Sequence, residues 1–147
     1  MPFAERLLEY QPKLKVVDGK TKVFDIIRKK WFLLTPEEHV RQCLLHFFIN
    51  QLNYPPSLIA VEKKILFHQK PKRFDIVVFN KNHEPWLLVE VKEPSIPISN
   101  ETFHQLLQYN NVLNAPFWLL TNGHQFFCAD ANNKKEIQWL DYFPIFE

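Results

Sequence analysis

Glycine and cysteine are both scarce in this sequence, with two residues of each among 147. The glycines follow Asp18 and Asn122, and such pairs between apolar runs predict hairpin turns, of type I′ at Asn122-Gly123. The cysteines, Cys43 and Cys128, lie far apart in apolar surroundings, which predicts buried free thiols of a reducing compartment. Their spacing argues against a structural zinc site.

Long apolar runs and nucleotide-binding motifs are absent as well. No run approaches the ~20 residues that a membrane-spanning helix needs, and Glu5 and Glu9 stand where a signal peptide would have its apolar core. The sequence also lacks a P-loop, a GxGxxG fingerprint and a Ser-His-Asp arrangement. We therefore expect a cytoplasmic domain that makes no membrane contact and has no ATP-driven motor.

The charge is nearly balanced, at a formal +2, so total charge does not indicate a polyanionic partner. The basic residues are nevertheless unevenly placed. One group crowds the N-terminal part, between Lys13 and Lys30. A second group comes just before an acidic stretch and consists of Lys63, Lys64, Lys70, Lys72 and Arg73. Such a strip suits DNA binding, although the same residues also suit an exposed, solubilising strand face.

The most informative stretch runs from Lys72 to Ser95, where charges interrupt two apolar runs. Asp75 stands in the first run, and Glu90 and Lys92 stand in the second. The two runs flank a polar turn, which predicts a β-hairpin with Glu90 and Lys92 on one strand face. Because an unpaired buried charge is costly, these residues predict a functional site. The alternative is an ordinary cross-strand ion pair.

These residue types suit metal-assisted phosphodiester chemistry. Asp75 and Glu90 on adjacent strands, together with the backbone carbonyl of Val91, would offer Mg²⁺ or Mn²⁺ a set of hard oxygen ligands. Such an ion polarises a phosphodiester and lowers the pKa of a bound water. Lys92 would reach that water or the charge developing on the phosphoryl oxygens.

The rest of the pattern predicts one α/β domain. Thr35 suits a helix N-cap, with Pro36 at the first position and Glu38 completing a capping box. We expect this helix to run to about Asn53 and to bury Val40, Leu44, Phe47 and Phe48. A second helix is expected over 101–113, and strands are expected at 14–17, 22–26, 57–67, 117–121, 125–129 and 136–140.

Two helical pairs extend the candidate site. A carboxylate from Glu38 would hold a metal-bound water, but Glu38 also has a structural role in the capping box, and Glu37 competes for the same task. Gln105 and Tyr109 are four residues apart and share a helix face. They suit either a surface pair or a helix that flanks the metal site.

The motifs, taken in order, resemble the N-terminal nuclease domain of type I restriction enzyme R subunits, and especially the small stand-alone bacterial members. The matching segments are LTPEEHVRQCLLHFFINQLNYP, KRFDIVVF, PWLLVEVKEPSIPIS, FHQLLQYN and FWLLTNG. This resemblance implies a PD-(D/E)XK fold, with an αβββαβ core, a mixed sheet flanked by helices and an added N-terminal hairpin. We expect one domain over 1–147, with the hairpin extension at 1–34, the core at 35–130 and a C-terminal strand or tail at 131–147.

The resemblance also implies Mg²⁺-dependent DNA cleavage, and we expect defence or repair as its setting. It makes Asp75, Glu90 and Lys92 the catalytic core and Glu38 the helix-borne acid. Gln105 and Tyr109 would match the family's Q-x-x-x-Y motif. Translocation and sequence recognition are not implied, because the motor is missing and other subunits read the DNA in that system.

Several alternatives stay open from the sequence. The chain could be a nucleic-acid-binding or assembly module with little activity of its own, or an RNA-directed hydrolase. It could act alone, as a homodimer, or with partner subunits that supply specificity or translocation.

Overall fold

The computed structural model describes residues 2–67, 69–107, 114–132 and 136–147, and the side chains of all of these except 2–5, 67, 105 and 107. A 3₁₀ helix at Pro2–Glu9 opens the chain. The helices and strands that follow are β1 (Leu14–Val17), β2 (Lys20–Asp25), β3 (Lys30–Leu33), α1 (Pro36–Asn50), β4 (Ile59–Phe67), β5 (Lys70–Phe79), β6 (Pro85–Val91), α2 (Asn100–Leu107), β7 (Phe117–Thr121), β8 (Phe126–Asp130) and β9 (Gln138–Leu140).

The N-terminal extension is a three-stranded antiparallel sheet in the order β1-β2-β3. Asp18 and Gly19 have φ angles of 51° and 75°, so the predicted hairpin turn is confirmed with positive φ at both central residues. The hairpin gains a third strand at Lys30–Leu33, where no strand was predicted from the sequence. That strand is short and has apolar residues on both faces, so it shows no alternation that would identify it.

The main sheet has six strands in the order β4-β5-β6-β7-β8-β9. All neighbours are antiparallel except β6 and β7, which are parallel and are joined through α2. The helix, three strands, helix and strand of the predicted αβββαβ core are therefore confirmed in order, and the sheet is mixed as predicted. One apolar cluster packs α1 on one face of this sheet, and a second cluster packs α2 on the other.

Helix α1 begins as the sequence predicts. The hydroxyl of Thr35 accepts a hydrogen bond of 3.0 Å from the amide of Glu38, which makes Thr35 the N-cap. The predicted core residues Val40, Leu44, Phe47 and Phe48 are all buried. The helix ends at Asn50, three residues before the predicted end.

The turn at Asn122-Gly123 differs from the prediction. Only Gly123 of the Asn122-Gly123 pair has a positive φ, so the turn is not type I′, which needs positive φ at both residues. Instead, Oδ1 of Asn122 accepts bonds from the amides of His124 and Gln125 and holds a longer loop. The predicted end of the second helix, at 108–113, lies outside the described residues. Both cysteines are buried free thiols, as predicted, and none of the described helices is long and apolar enough to cross a membrane.

Candidate active site at a fork between two strands

The candidate site lies where β5 and β6 part. Their ladder ends at the pair Ile76–Val89, so Asp75 and Glu90 are the next residues on either side of a fork. Beyond the fork β5 continues with β4, and β6 continues with β7. The amide of Val91 donates a 2.8 Å hydrogen bond to Oδ2 of Asp75, so this side chain takes over where the backbone ladder stops.

A local kink in β4 and β5 turns Asp75 toward α1. The two strands pair Val61 with Ile76, but the next two residues, Glu62 and Asp75, are not paired. Glu62 has a φ of 53°, an unfavourable conformation for a residue with a side chain. Alternation breaks here, because Phe74 packs on the α2 side although Ile76 packs on the α1 side. No residue type in the sequence marks this kink.

Arg41 on α1 holds Asp75 in place. Its Nη2 atom donates a 2.8 Å bond to Oδ1 of Asp75, and its Nη1 atom donates a 2.8 Å bond to Oε1 of Glu38. Burial would lower the pKa of Arg41, but the carboxylates of Glu38 and Asp75 outweigh it and raise this pKa above its ordinary value. Sequence reasoning missed Arg41; the available signal was its spacing of three residues from Glu38 on one helix face.

Glu38 is buried in a network that joins α1 to the N-terminal sheet. Besides Arg41, its carboxylate accepts bonds from Arg28 at 2.9 Å and from Gln42 at 3.2 Å. Arg28 and Gln42 also bond to the fully buried Asp25. Burial acts to raise the pKa of Asp25, but hydrogen bonds from the Arg28 amide, from the Arg28 and Gln42 side chains and from the Ile27 amide outweigh it and lower that pKa. The role of Glu38 as a metal ligand stays a prediction, and its oxygens are already engaged.

Glu90 is a largely buried acid whose partner is Lys72. Its side chain is 14% exposed, and Nζ of Lys72 lies 3.3 Å from Oε1 as an ion pair. That oxygen nevertheless has no well-aligned hydrogen-bond partner among the described residues. Burial, together with the charge of Asp75, raises the pKa of Glu90 to about 7, against the opposing effect of Lys72 and Lys92.

Lys92 and Glu37 complete the group. The amide of Lys92 donates a 2.8 Å bond to the carbonyl of Thr121, which fixes this residue just beyond β6. Its charge lowers the pKa of both Glu90 and Glu37. Burial first, and Asp75 second, nevertheless raise the pKa of Glu37 above its ordinary value. We call Glu37, Asp75, Glu90 and Lys92 the fork cluster.

The two helix acids differ in access. Glu38 is buried in its network, whereas the side chain of Glu37 is 45% exposed and has Arg41 3.6 Å away. A cavity of about 340 Å³ opens beside them. It is lined by Arg28, Phe32, Leu33, Thr35, Glu37, Glu38, Arg41 and Glu62.

The predicted DNA-binding residues lie together on the arm formed by β4 and β5. Four of them are exposed, namely Lys63, Lys64, Lys70 and Arg73. Lys72 is half-buried and forms an ion pair with Glu90, and its role in DNA binding stays a prediction. Gln105 lies on α2, but its side chain is not described, and Tyr109 lies outside the described residues.

The fork cluster is not a complete metal cage. Within residues 2–67, 69–107, 114–132 and 136–147, no three His, Cys, Asp or Glu side chains gather as a ready-made metal site. Asp75 meets α1, whereas Glu90 follows Leu88, which packs on the α2 side. The two carboxylates thus leave the fork toward different sides of the sheet, and the charge of Asp75 still acts on Glu90 by raising its pKa.

The order of elements around a mixed sheet defines a restriction-endonuclease-like α/β domain. The family model for the type I restriction enzyme R protein N terminus (HSDR_N) matches residues 36–144, about three quarters of the chain. The chain therefore belongs to this family.

The solved structures similar to the chain include the following two. One is a fragment assigned as an HsdR subunit of a type I restriction enzyme from Vibrio vulnificus, with 23% identity and a TM-score of 0.49, covering 69% of this chain. The match spans only 22% of that fragment. The other is a protein from Anabaena variabilis assigned as a nuclease, with 14% identity and a TM-score of 0.49, covering 95% of this chain and 84% of that one. No curated protein matches the chain.

Proposed function

We propose that this chain is a Mg²⁺-dependent nuclease of PD-(D/E)XK type that cleaves DNA, with the fork cluster as its active site. Membership of the restriction-enzyme family supports nuclease chemistry. The observation that carries the proposal is Glu90, a buried carboxylate whose pKa burial and the charge of Asp75 raise to about 7 although Nζ of Lys72 lies 3.3 Å from its Oε1 atom. A protein seldom keeps such a group without a use for it.

The residues at the fork fit a hard divalent cation. A carboxylate whose pKa is raised by burial and by a second carboxylate gains most from a positive ion between them. Asp75, Glu90 and the backbone carbonyl of Val91 are the oxygen donors we assign to Mg²⁺ or Mn²⁺. When bound, the ion would polarise the scissile phosphodiester and lower the pKa of a water.

The other residues have separate tasks. Lys92 would stabilise charge that develops on the phosphoryl oxygens and orient the attacking water. Arg41 would hold Asp75 in one orientation through its 2.8 Å bond. Of the two helix acids, we assign the water-holding role to Glu37, because it keeps exposed surface while Glu38 is bonded to two arginines. Gln105 of α2, together with Tyr109, would flank the site.

The substrate and setting follow from the family and the charges. The exposed strip of Lys63, Lys64, Lys70 and Arg73 would contact the DNA backbone. We place the protein in the bacterial cytoplasm, in restriction or a related defence. Partner subunits would supply sequence recognition and translocation, since neither is expected from this chain.

One observation favours a second candidate function. Arg41 already occupies Oδ1 of Asp75, and the acids do not form a ready-made metal cage within the described residues. A chain with this arrangement would also suit a nucleic-acid-binding or assembly module that cuts only when a partner reorganises the site.

The deciding experiment is a cleavage assay with Mg²⁺ or Mn²⁺ on plasmid DNA, linear DNA, single-stranded DNA and RNA. We expect the wild type to cut DNA and Asp75→Ala and Lys92→Ala to lose that activity. The charge-matched control Lys81→Ala, in the exposed turn after β5, should cut normally. Activity that survives in both variants would refute the site, cutting of RNA alone would refute the substrate, and binding without cutting would favour the module.

A further inference from the structure

One face of the N-terminal sheet carries several lysines together with two aromatic side chains. Residues that pair across antiparallel strands share a face, and the register pairs Lys15 with Lys22 and Phe24 with Trp31. Alternation along the strands adds two more lysines to the same face. We call this surface the lysine–tryptophan face; it consists of Lys13, Lys15, Lys20, Lys22, Phe24 and Trp31.

This face points away from the rest of the protein. The opposite side of β2 carries Val23 and Asp25, which are both fully buried. Asp25 is bonded to Gln42 of α1, so that side lies against the core. The lysines are exposed, except for the partly buried Lys22.

The four lysines lack the counter-charges that such a group would need. Lys15 and Lys22 lie directly opposite each other, and like charges in that position destabilise a sheet. None of the ion pairs found within the described part of the chain involves any of the four lysines. An external anion would relieve this repulsion.

The aromatic pair holds two of the ammonium groups in place. The rings of Phe24 and Trp31 meet edge to face, with centroids 5.3 Å apart. Nζ of Lys15 lies 4.2 Å from the Trp31 centroid, and Nζ of Lys13 lies 5.7 Å from it. Cation–π contacts of this kind restrict flexible lysine side chains, so less entropy is lost when they bind an anion.

We propose that the lysine–tryptophan face is a second DNA-binding surface, which holds the phosphate backbone of the duplex. Several fixed positive charges on one face require a ligand with several anionic groups, and the DNA backbone supplies them at regular spacing. The face is rigidly joined to the site, because Arg28 bonds both to Asp25 of β2 and to Glu38 of α1. The choice of DNA as the polyanion rests on the proposed function.

The test is binding of a fluorescent duplex of about 20 base pairs, measured by anisotropy in EDTA over a range of salt concentrations. We expect Lys15→Gln/Lys22→Gln to weaken binding about tenfold near 0.1 M salt and to reduce the log–log salt slope by about 1.8, since each phosphate contact contributes about 0.9. The control Arg6→Gln/Lys81→Gln removes the same charge from exposed positions elsewhere and should change affinity by less than about twofold. Lys15→Arg/Lys22→Arg should bind as the wild type does, which separates lost charge from a damaged fold.

Three results would overturn the proposal. These are an unchanged salt slope in Lys15→Gln/Lys22→Gln, an equal loss in the control, or lysine-dependent binding to phosphatidylserine vesicles without any to DNA. Because EDTA prevents cleavage, the assay is independent of nuclease activity. A protein that binds through these lysines but never cuts DNA would refute the proposed function and leave the binding surface intact.

Discussion

Nη2 of Arg41 lies 2.8 Å from Oδ1 of Asp75, while Nη1 of the same side chain lies 2.8 Å from Oε1 of Glu38. One buried cation therefore joins the first helix to the strand that carries the candidate metal ligand. The other carboxylate oxygen of Asp75 accepts the amide of Val91, so both oxygens of this side chain are held. Asp75 is thus oriented by the fold before any ligand binds.

Removing that cation should destabilise the protein strongly. Arg41→Gln leaves Glu38 and Asp75 without their shared partner, and breaking a buried pair costs roughly 3 kcal/mol or more. Urea unfolding in EDTA measures the loss. Arg73→Gln is the matched control, because Arg73 is 55% exposed and its contact with Glu62 is long, at 4.0 Å. This substitution should cost less than about 1 kcal/mol of stability. Equal losses in the two variants would contradict the role of Arg41.

Glu90 should make the metal-free protein less stable as pH rises. Burial and Asp75 raise its pKa from 4.5 to about 7 in the folded state, so the folded protein holds this proton more tightly than the unfolded chain does. Its contribution to stability is full below pH 4.5 and is lost as pH rises through about 7. Thermal unfolding in EDTA from pH 4.5 to 8 tests this. Glu90→Gln should flatten this decline. Wild-type stability that rises with pH relative to Glu90→Gln through this window would contradict the prediction.

Gly123 and Gly19 offer a comparison of two turns. Both have positive φ, but a Cβ at Gly123 would lie 3.0 Å from Cδ2 of Leu8, whereas a Cβ at Gly19 would meet nothing within 4 Å. Both alanine variants should lose about 1 kcal/mol from backbone strain. Gly123→Ala should lose roughly 1 kcal/mol more, because Leu8 must shift. Chemical denaturation compares them; a larger loss in Gly19→Ala would show that Leu8 does not pack on this turn.

Much of the core could be predicted from local signals. The cap at Thr35, the stripe from Val40 to Phe48 and the apolar strand Phe117–Thr121 each follow from spacing and residue type, and each was confirmed. The alternation on β6 was also right, since Leu87, Val89 and Val91 pack on one side and Leu88 on the other. These features depend on neighbours in sequence, which is why the sequence reveals them.

The geometry of the site depends on distant residues and could not be predicted in the same way. The bond between Arg41 and Asp75 spans 34 positions in the sequence. The kink at Glu62 occurs without a glycine, the residue type that would have indicated it. The ion pair between Lys72 and Glu90, at 3.3 Å, was not predicted from the sequence either. Each of these features depends on packing between distant parts of the chain. Together they determine the surroundings of Glu90.

The central claim is that Asp75 and Glu90 together hold a divalent cation, and a calorimetric titration with Mn²⁺ tests it most directly. The wild type should bind Mn²⁺, and Asp75→Asn and Glu90→Gln should each weaken binding about tenfold or more, since even lost supporting contacts typically cost that much. Glu84→Gln, which removes an exposed acid from the turn before β6, should bind as the wild type does. Binding that is unchanged in both Asp75→Asn and Glu90→Gln would contradict the account.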